Sequence, residues 1–131
     1  MKKHLMMLLM LSWTFPSMAA ARVKDKCVGI ASYYSRRHEG RKQANGKRFH
    51  MEKLTAAHRS LPFGTKVRVI NLENMKTVDV EITDRGPWIK GRILDLSAAA
   101  ASRLDMVRKG VARVMYVVLP EPETPLNVGE L

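Results

Sequence analysis

Apolar and polar residues alternate along several short segments of the chain, and this alternation predicts a protein built mainly of β-strands. The clearest cases are residues 66–72 and 77–83, where valine or isoleucine fills every second position for most of each segment. A period of two is typical of strands that bury one face. Residues 73–76 predict the hairpin that joins them, so we expect the two strands to share one core face.

Further strands are predicted at residues 28–34, 93–96 and 111–119, which are rich in β-branched and other apolar residues. Residues 98–104, an alanine-rich run after a serine, predict a short helix. Residues 49–58 are too short for periodicity to separate a strand from a helix. A small closed barrel protects so many short strand edges economically, so we expect a mainly β, single-domain fold.

The first 21 residues predict a secretory signal peptide. Two lysines precede an apolar run at residues 5–11, and small residues follow at 16–21. The apolar run is too short to span a bilayer, and cleavage after Ala19 or Ala21 fits the pattern. We therefore expect a protein that is periplasmic or secreted.

The rest of the chain divides into a folded part, residues 22–119, and a C-terminal tail, residues 120–131. The tail is rich in proline and glutamate and poor in apolar residues, which predicts disorder. Cys27 is the only cysteine, and the charged residues before it argue against a lipid anchor. Its position just before a predicted strand favours a buried bystander thiol. We expect no stable membrane insertion and a monomer.

The chain carries a net charge of +11, and removal of Lys2 and Lys3 with the signal peptide leaves +9. Such a charge attracts polyanions. For an exported protein these are cell-wall polymers and lipid head groups rather than nucleic acid. A basic, solvated surface without a specific partner is the alternative. Six cationic side chains lie in the loop at residues 35–48, which has no apolar period.

Two aspartates, Asp84 and Asp95, each interrupt an apolar run close to a turn. Glycosidic cleavage needs a carboxylic acid that stays protonated near neutral pH, which an apolar wall such as Trp88 favours. A direct ion pair between Arg85 and Asp84 would instead favour the ionised carboxylate. The alternative is structural: Asp84 caps the turn, and Asp95 pairs with a neighbouring arginine.

Three histidines follow the predicted signal peptide, but their spacing lacks the short pairs typical of metal sites, so we expect no metal and no cofactor. His58 ends an apolar run and is a candidate for the same cleft. Several aromatic side chains could stack on sugar rings. The best placed is Trp88, in a polar turn; the others are Tyr33, Tyr34, Phe49 and Phe63.

Six motifs in a fixed order resemble the rare lipoprotein A family over about residues 28–119. The motifs are GIASYY from residue 29, GRKQANG from 40, LTAAH from 54, LPFGT from 61, TDRGP from 83 and RILDLS from 92. The resemblance implies a six-stranded double-psi β-barrel, shared with expansins. It also implies a septal-ring lytic transglycosylase that cleaves the MurNAc–GlcNAc bond of peptidoglycan, preferring strands stripped of peptides.

In that reaction the C6 hydroxyl of the muramoyl residue attacks its own anomeric carbon and leaves a 1,6-anhydro end. One carboxyl group can serve first as acid and then as base. The resemblance assigns catalysis to Asp84 and Asp95. The resemblance also implies that Asn45, His58 and Arg85 line the substrate cleft, and we expect the aromatic side chains of Tyr33 and Trp88 to bind substrate there as well.

The sequence departs from the family at Lys47, where members usually carry a glutamate that is counted among the catalytic residues. We also expect neither the lipidated cysteine nor the C-terminal peptidoglycan-binding repeat domain of longer members. Three functions therefore compete. The first is an exported lytic transglycosylase, the second a non-catalytic peptidoglycan-binding or expansin-like wall-loosening module, and the third a secreted basic effector or inhibitor.

Overall fold

The computed structural model describes residues 26–122. The predicted signal peptide lies outside the described residues, as does most of the predicted tail. Six strands and one short helix follow in order: β1 (Lys26–Tyr33), β2 (Thr55–Ala57), β3 (Lys66–Asn71), β4 (Thr77–Asp84), β5 (Arg92–Leu96), α1 (Ala98–Arg103) and β6 (Val111–Val118). A single 3-10 turn, Arg36–His38, interrupts the long loop after β1. No helix within residues 26–122 is long and apolar enough to cross a membrane.

The six strands close into a barrel in the order β1-β5-β2-β4-β3-β6. Strand β1 pairs parallel with β5, and β2 pairs parallel with β4, whereas the other neighbours are antiparallel. The prediction of a mainly β, six-stranded barrel with one short helix is therefore confirmed. The ambiguous segment at residues 49–58 contains β2, a strand of only three residues.

The alternating positions supply the core as the sequence predicts. Val78, Val80 and Ile82 of β4 are buried, while Asp79 between them is exposed. Buried positions on the other strands pack with them in the core: Ala31, Ala56, Val67, Val69, Leu94, Leu96, Ala112, Val114 and Tyr116. Because a closed barrel has no free strand edge, the loops at its ends are left to carry the polar chemistry.

The helix α1 begins where the sequence predicts a cap. The Ser97 side chain accepts a hydrogen bond from the backbone N–H of Ala100 and also receives the N–H of Thr55 at 3.3 Å. One buried hydroxyl thus links the helix start to the start of β2. This fixes β2 against β5 and α1 and thereby positions the candidate site.

Candidate active site

The two candidate aspartates lie on either side of the short strand β2. Ala57 of β2 pairs in register with Asp84 on one side and with Asp95 on the other. One strand therefore separates the aspartates, and their Cα atoms are two strand spacings apart, about 10 Å. The sequence distance of eleven residues concealed this arrangement, which depends on β2 entering the sheet between β4 and β5.

Asp84 is held in place by three hydrogen bonds. Its Oδ1 accepts from the backbone N–H groups of Ala44 and Arg85, at 2.8 and 2.9 Å. Its Oδ2 accepts from the hydroxyl of Tyr34 at 2.8 Å. Because each carboxylate oxygen has two lone pairs, one acceptor position on Oδ2 is unoccupied by these contacts. That position is where a proton can be carried or received.

The hydroxyl of Tyr34 is hydrogen-bonded to Asp84 and lies close enough to feel the charge of Asp95 as well. Burial raises the pKa of the Tyr34 hydroxyl far above its usual value; the hydrogen bond to Asp84 and the negative charges of Asp84 and Asp95 raise it further. The hydroxyl therefore remains a proton donor at every physiological pH. The ring packs edge-on against Phe49, with the ring centroids 5.0 Å apart.

Asp95 receives its hydrogen bond from a neighbouring strand. Ser32 of β1 lies opposite Asp95 of β5 in the parallel register, and its hydroxyl donates to Asp95 Oδ1. Among residues 26–122, neither Asp84 nor Asp95 forms an ion pair with a basic side chain. Both carboxylates are therefore oriented by neutral donors, and the alternative in which Asp95 pairs with a nearby arginine has no support.

A turn from the loop after β1 covers the end of β4. Besides the contact from Ala44, the Asn45 N–H donates to the carbonyl of Thr83 at 3.3 Å, and the Thr83 hydroxyl donates to Gln43 Oε1 at 2.6 Å. The Asn45 side chain accepts from the N–H of Lys47 and so closes the turn on itself. Asn45 thus shapes the rim of the site, and the Lys47 side chain is exposed.

His58 is fixed on all sides. Its Nδ1 accepts from the backbone N–H groups of Ser60 and Leu61, at 3.0 and 2.9 Å, so the ring proton lies on Nε2, which donates to the Tyr116 hydroxyl at 2.8 Å. Burial lowers the pKa of His58, and the positive charges of Arg85 and Arg59 lower it further. The imidazole is neutral and anchors the turn after β2.

Arg85 also serves this turn rather than its neighbour Asp84. Its guanidinium donates to the carbonyls of His58 and Leu61, at 3.2 and 2.9 Å, and stacks 4.0 Å above the ring of Phe63. Only the backbone N–H of Arg85 contacts the carboxylate. The direct Arg85–Asp84 ion pair considered from the sequence is therefore absent among the described residues.

The two remaining candidates, Trp88 and Tyr33, lie in different parts of the chain, Trp88 in the loop between β4 and β5 and Tyr33 at the end of β1. Trp88 is 75% exposed in the loop between β4 and β5, where an aromatic platform can meet a ligand. Buried Gly86 makes this turn possible because its φ of +115° is a region open essentially to glycine. Tyr33 points away from both carboxylates: its hydroxyl donates to the carbonyl of Val107, beside a cavity of about 530 Å³.

Sequence reasoning did not assign the contacts that Ser32 and the Ala44 N–H make with the aspartates, and it named Tyr34 only as a side chain that could stack on a sugar. A signal existed for Ser32 and Tyr34, because residues two apart on a strand share a face. Once Asp95 is placed opposite Ser32, Tyr34 must lie on the same side and Tyr33 on the other. Among residues 26–122, no three His, Cys, Asp or Glu side chains cluster as a metal site requires.

The closed six-stranded barrel, in which two aspartates pair with the same residue of β2, defines the chain as a double-psi β-barrel protein with a candidate carboxylate site. Its sequence matches the profile of a family described as "Lytic transglycolase" over residues 26–116, which is most of the chain. The protein belongs to this family, and the resemblance seen in the sequence motifs is confirmed.

Curated relatives carry the same assignment. The chain is 50% identical over 106 residues to the probable endolytic peptidoglycan transglycosylase RlpA of a Nostoc species, covering 79% of this chain and 29% of that protein. It is 44% identical to the Helicobacter pylori endolytic peptidoglycan transglycosylase RlpA, covering 82% and 33% of the two chains. The chain thus spans about a third of the length of these relatives.

Solved structures share the barrel at lower sequence identity. The Streptomyces papain inhibitor superposes with a TM-score of 0.61 at 22% identity, over 77% of this chain and 100% of the inhibitor. An apo expansin from Clavibacter michiganensis superposes with a TM-score of 0.58 at 26% identity, over 76% and 53% of the two chains. An inhibitor and an expansin on one barrel illustrate that the fold alone does not choose the function.

Proposed function

We propose that the protein is an exported lytic transglycosylase that cleaves the MurNAc–GlcNAc bond of peptidoglycan glycan strands and leaves a 1,6-anhydro end. The observation that carries the proposal is the pairing of Asp84 and Asp95 with the same residue of β2. The printed function of the relatives, endolytic peptidoglycan transglycosylase, supports the substrate and the reaction.

Asp84 is the proposed acid and base. Its carboxyl group gives a proton to the glycosidic oxygen as the bond to the anomeric carbon breaks, and the GlcNAc leaves as an alcohol. The resulting carboxylate takes the proton of the C6 hydroxyl while O6 bonds to the same carbon. The acid form is thereby restored and no water is consumed. The unoccupied acceptor position on Oδ2 is available for this proton.

Asp95 has a different role in this proposal. An oxocarbenium-like transition state carries positive charge. The Asp95 carboxylate, which lies two strand spacings from Asp84, stabilises that charge electrostatically. The Ser32 hydroxyl fixes one oxygen of Asp95 and so keeps the charge in place. Trp88 is the proposed stacking platform for a sugar ring because it is strongly exposed in the loop after Asp84, whereas the exposed ring of Phe63 already stacks with the Arg85 guanidinium.

The test is a digest of peptide-free glycan strands followed by mass spectrometry of the products. A transglycosylase yields ends that are lighter by one water than those of a hydrolase. We expect 1,6-anhydro ends from the wild type and none from Asp84→Asn. Products that match a buffer control for both proteins would eliminate the enzyme.

A non-catalytic wall-binding module is the second candidate, and two observations favour it. Asp84 is already engaged by three donors, and Lys47 stands where the family usually carries a glutamate. The expansin match, at 26% identity, is consistent with it. A protein that sediments with sacculi but gives no anhydro ends would fit this candidate, and activity created by Lys47→Glu would trace the silence to the missing carboxylate.

Export to the periplasm or the medium, and a monomeric state, belong to the same proposal. A substrate in the cell wall requires export, and the basic leader with its apolar run is what supports it. Fractionation of cells that express the full chain, with sizing of the exported protein, tests both points.

A further inference from the structure

The loop at residues 36–48, here called the cationic loop, carries six arginine and lysine side chains and one acidic residue. That acid, Glu39, is already engaged: its two carboxylate oxygens contact His50 Nδ1 and the N–H of Met51. Among residues 26–122, every ion pair made by a lysine or arginine lies elsewhere, on β3, β4 and the turns beside β6. None of the cations of this loop is therefore in an ion pair with a carboxylate of the described residues.

Two of these cations lie beside the candidate acid. Arg41 and Lys42 line a cavity of about 210 Å³ together with Asp84 and Tyr34. The backbone of the loop is fixed relative to Asp84 by two contacts. Lys42 and Arg48 form an antiparallel β-bridge through their backbones, and the N–H of Ala44 donates to the Asp84 carboxylate. The charges thus project from a fixed backbone next to the site, where an anionic group of a ligand gains most from them.

The glycan strand offers one such group. A muramoyl residue carries a lactyl ether whose carboxylate is free unless a peptide is attached, whereas N-acetylglucosamine is neutral. The cavity of about 210 Å³ is large enough to admit a lactyl group. Attaching a peptide removes the charge at the lactyl carbonyl and adds bulk at the same point.

We propose that Arg41 and Lys42 form an anion subsite that binds the free lactyl carboxylate of a muramoyl residue next to Asp84. The proposal rests on a muramoyl glycan as the ligand, as in the proposed function, but it does not require that the glycan be cleaved. The group that is recognised is the lactyl carboxylate, and the side chains that recognise it are Arg41 and Lys42. Lys47, on the same loop, adds long-range attraction without lining the cavity.

The test compares two glycan ligands of equal length. One is a peptide-free GlcNAc–MurNAc oligomer with free carboxylates, and the other is the same oligomer with each lactyl carboxyl converted to a methylamide. Calorimetric titration gives Kd for both, and every protein carries Asp84→Asn so that cleavage does not intervene. We expect the carboxylate form to bind about tenfold or more tightly, the range of charge-assisted hydrogen bonds, and its advantage to shrink with added salt.

Matched variants assign the effect to the two residues. Arg41→Gln combined with Lys42→Gln should abolish the preference for the carboxylate form, whereas the charge-preserving exchange Arg41→Lys with Lys42→Arg should keep most of it. Lys53→Gln combined with Arg108→Gln removes two exposed cations that do not line this cavity and should leave the preference unchanged. All the replaced cations are exposed, so unfolding midpoints should match the parent.

Two results would overturn the subsite. The first is equal binding of the carboxylate and methylamide forms. The second is stronger competition by inorganic phosphate or a phosphodiester wall polymer than by the carboxylate glycan at equal charge, which would assign the cations to a phosphate ligand. Either failure leaves the digest for 1,6-anhydro ends untouched, and a negative digest leaves the binding comparison intact, so the two proposals fail separately.

Discussion

Replacement of His58 tests whether this histidine is part of the scaffold or of the chemistry. The structure assigns it to the scaffold, because both ring nitrogens are engaged: Nδ1 accepts two backbone N–H groups and Nε2 donates to the Tyr116 hydroxyl. His58→Ala removes all three hydrogen bonds. His58→Asn is the matched variant, because its side-chain oxygen can take the place of Nδ1 while the bond to Tyr116 is lost.

The expected cost follows from the burial of each partner. The Ser60 N–H is exposed, so water replaces its acceptor at little cost. The Leu61 N–H and the Tyr116 hydroxyl are partly buried, and each lost hydrogen bond there costs about 1 kcal/mol. Loss of the edge-on packing of His58 on Tyr116 adds about 0.5 to 1 kcal/mol. His58→Ala should therefore destabilise the fold by about 2.5 to 3 kcal/mol, and His58→Asn, which keeps an acceptor for the Leu61 N–H, by about 1.5 to 2 kcal/mol.

Urea unfolding at pH 7.5 measures both values, and a domain of this size should lose roughly 10 °C in Tm for His58→Ala. A wild-type unfolding curve for His58→Ala would refute the scaffold role. So would a His58→Asn protein that keeps its stability but makes no product, since the histidine would then act in catalysis.

The pH dependence of stability offers an independent check on His58. Its folded-state pKa lies below the unfolded value of about 6.5, so the unfolded chain binds the proton first as the pH falls. The stabilising contribution is complete above about pH 6.5 and declines below it. His58→Asn should remove this part of the decline between pH 7.5 and 5.5, and identical slopes for the two proteins would contradict the lowered pKa.

Two further changes test the barrel and the site. Gly29→Ala places a methyl group 2.7 Å from Cγ2 of Ile93 and should destabilise the protein by about 1 to 3 kcal/mol in urea unfolding. Adding Ile93→Ala should recover part of that loss. Strictly additive effects of the two substitutions would contradict the close packing. Tyr34→Phe removes the hydroxyl that donates to Asp84 Oδ2 and should slow formation of anhydro ends about tenfold with Kd for the glycan unchanged, whereas a change in Kd alone would make Tyr34 a binding residue.

The strands were predictable because their pattern is local. Alternation at residues 66–72 and 77–83 gave β3 and β4 to within one residue, and the strand at 111–119 gave β6 equally well. The position of β2 was not predictable from periodicity. Its three residues are all buried and follow an irregular segment, and their place between β4 and β5 is a long-range pairing that leaves no periodic trace.

The site was predictable in its carboxylates but not in its contacts. Asp84 and Asp95 stand out because each interrupts an apolar run, and the motif resemblance pointed to the same pair. The direction of the Arg85 guanidinium, toward loop carbonyls and Phe63, depends on a turn that only the folded chain brings near. The choice between Tyr33 and Tyr34 likewise depends on the register of β1 against β5.

The most direct test of the central claim compares two aspartates of the same strand. Asp84 lies at the end of β4 beside Tyr34, whereas Asp79 lies on the outer face of β4 and pairs with Arg68. The measurement is the initial rate of 1,6-anhydro end formation on peptide-free glycan strands. The account predicts no product from Asp84→Asn and a wild-type rate from Asp79→Asn. Equal rates from the two variants would contradict it.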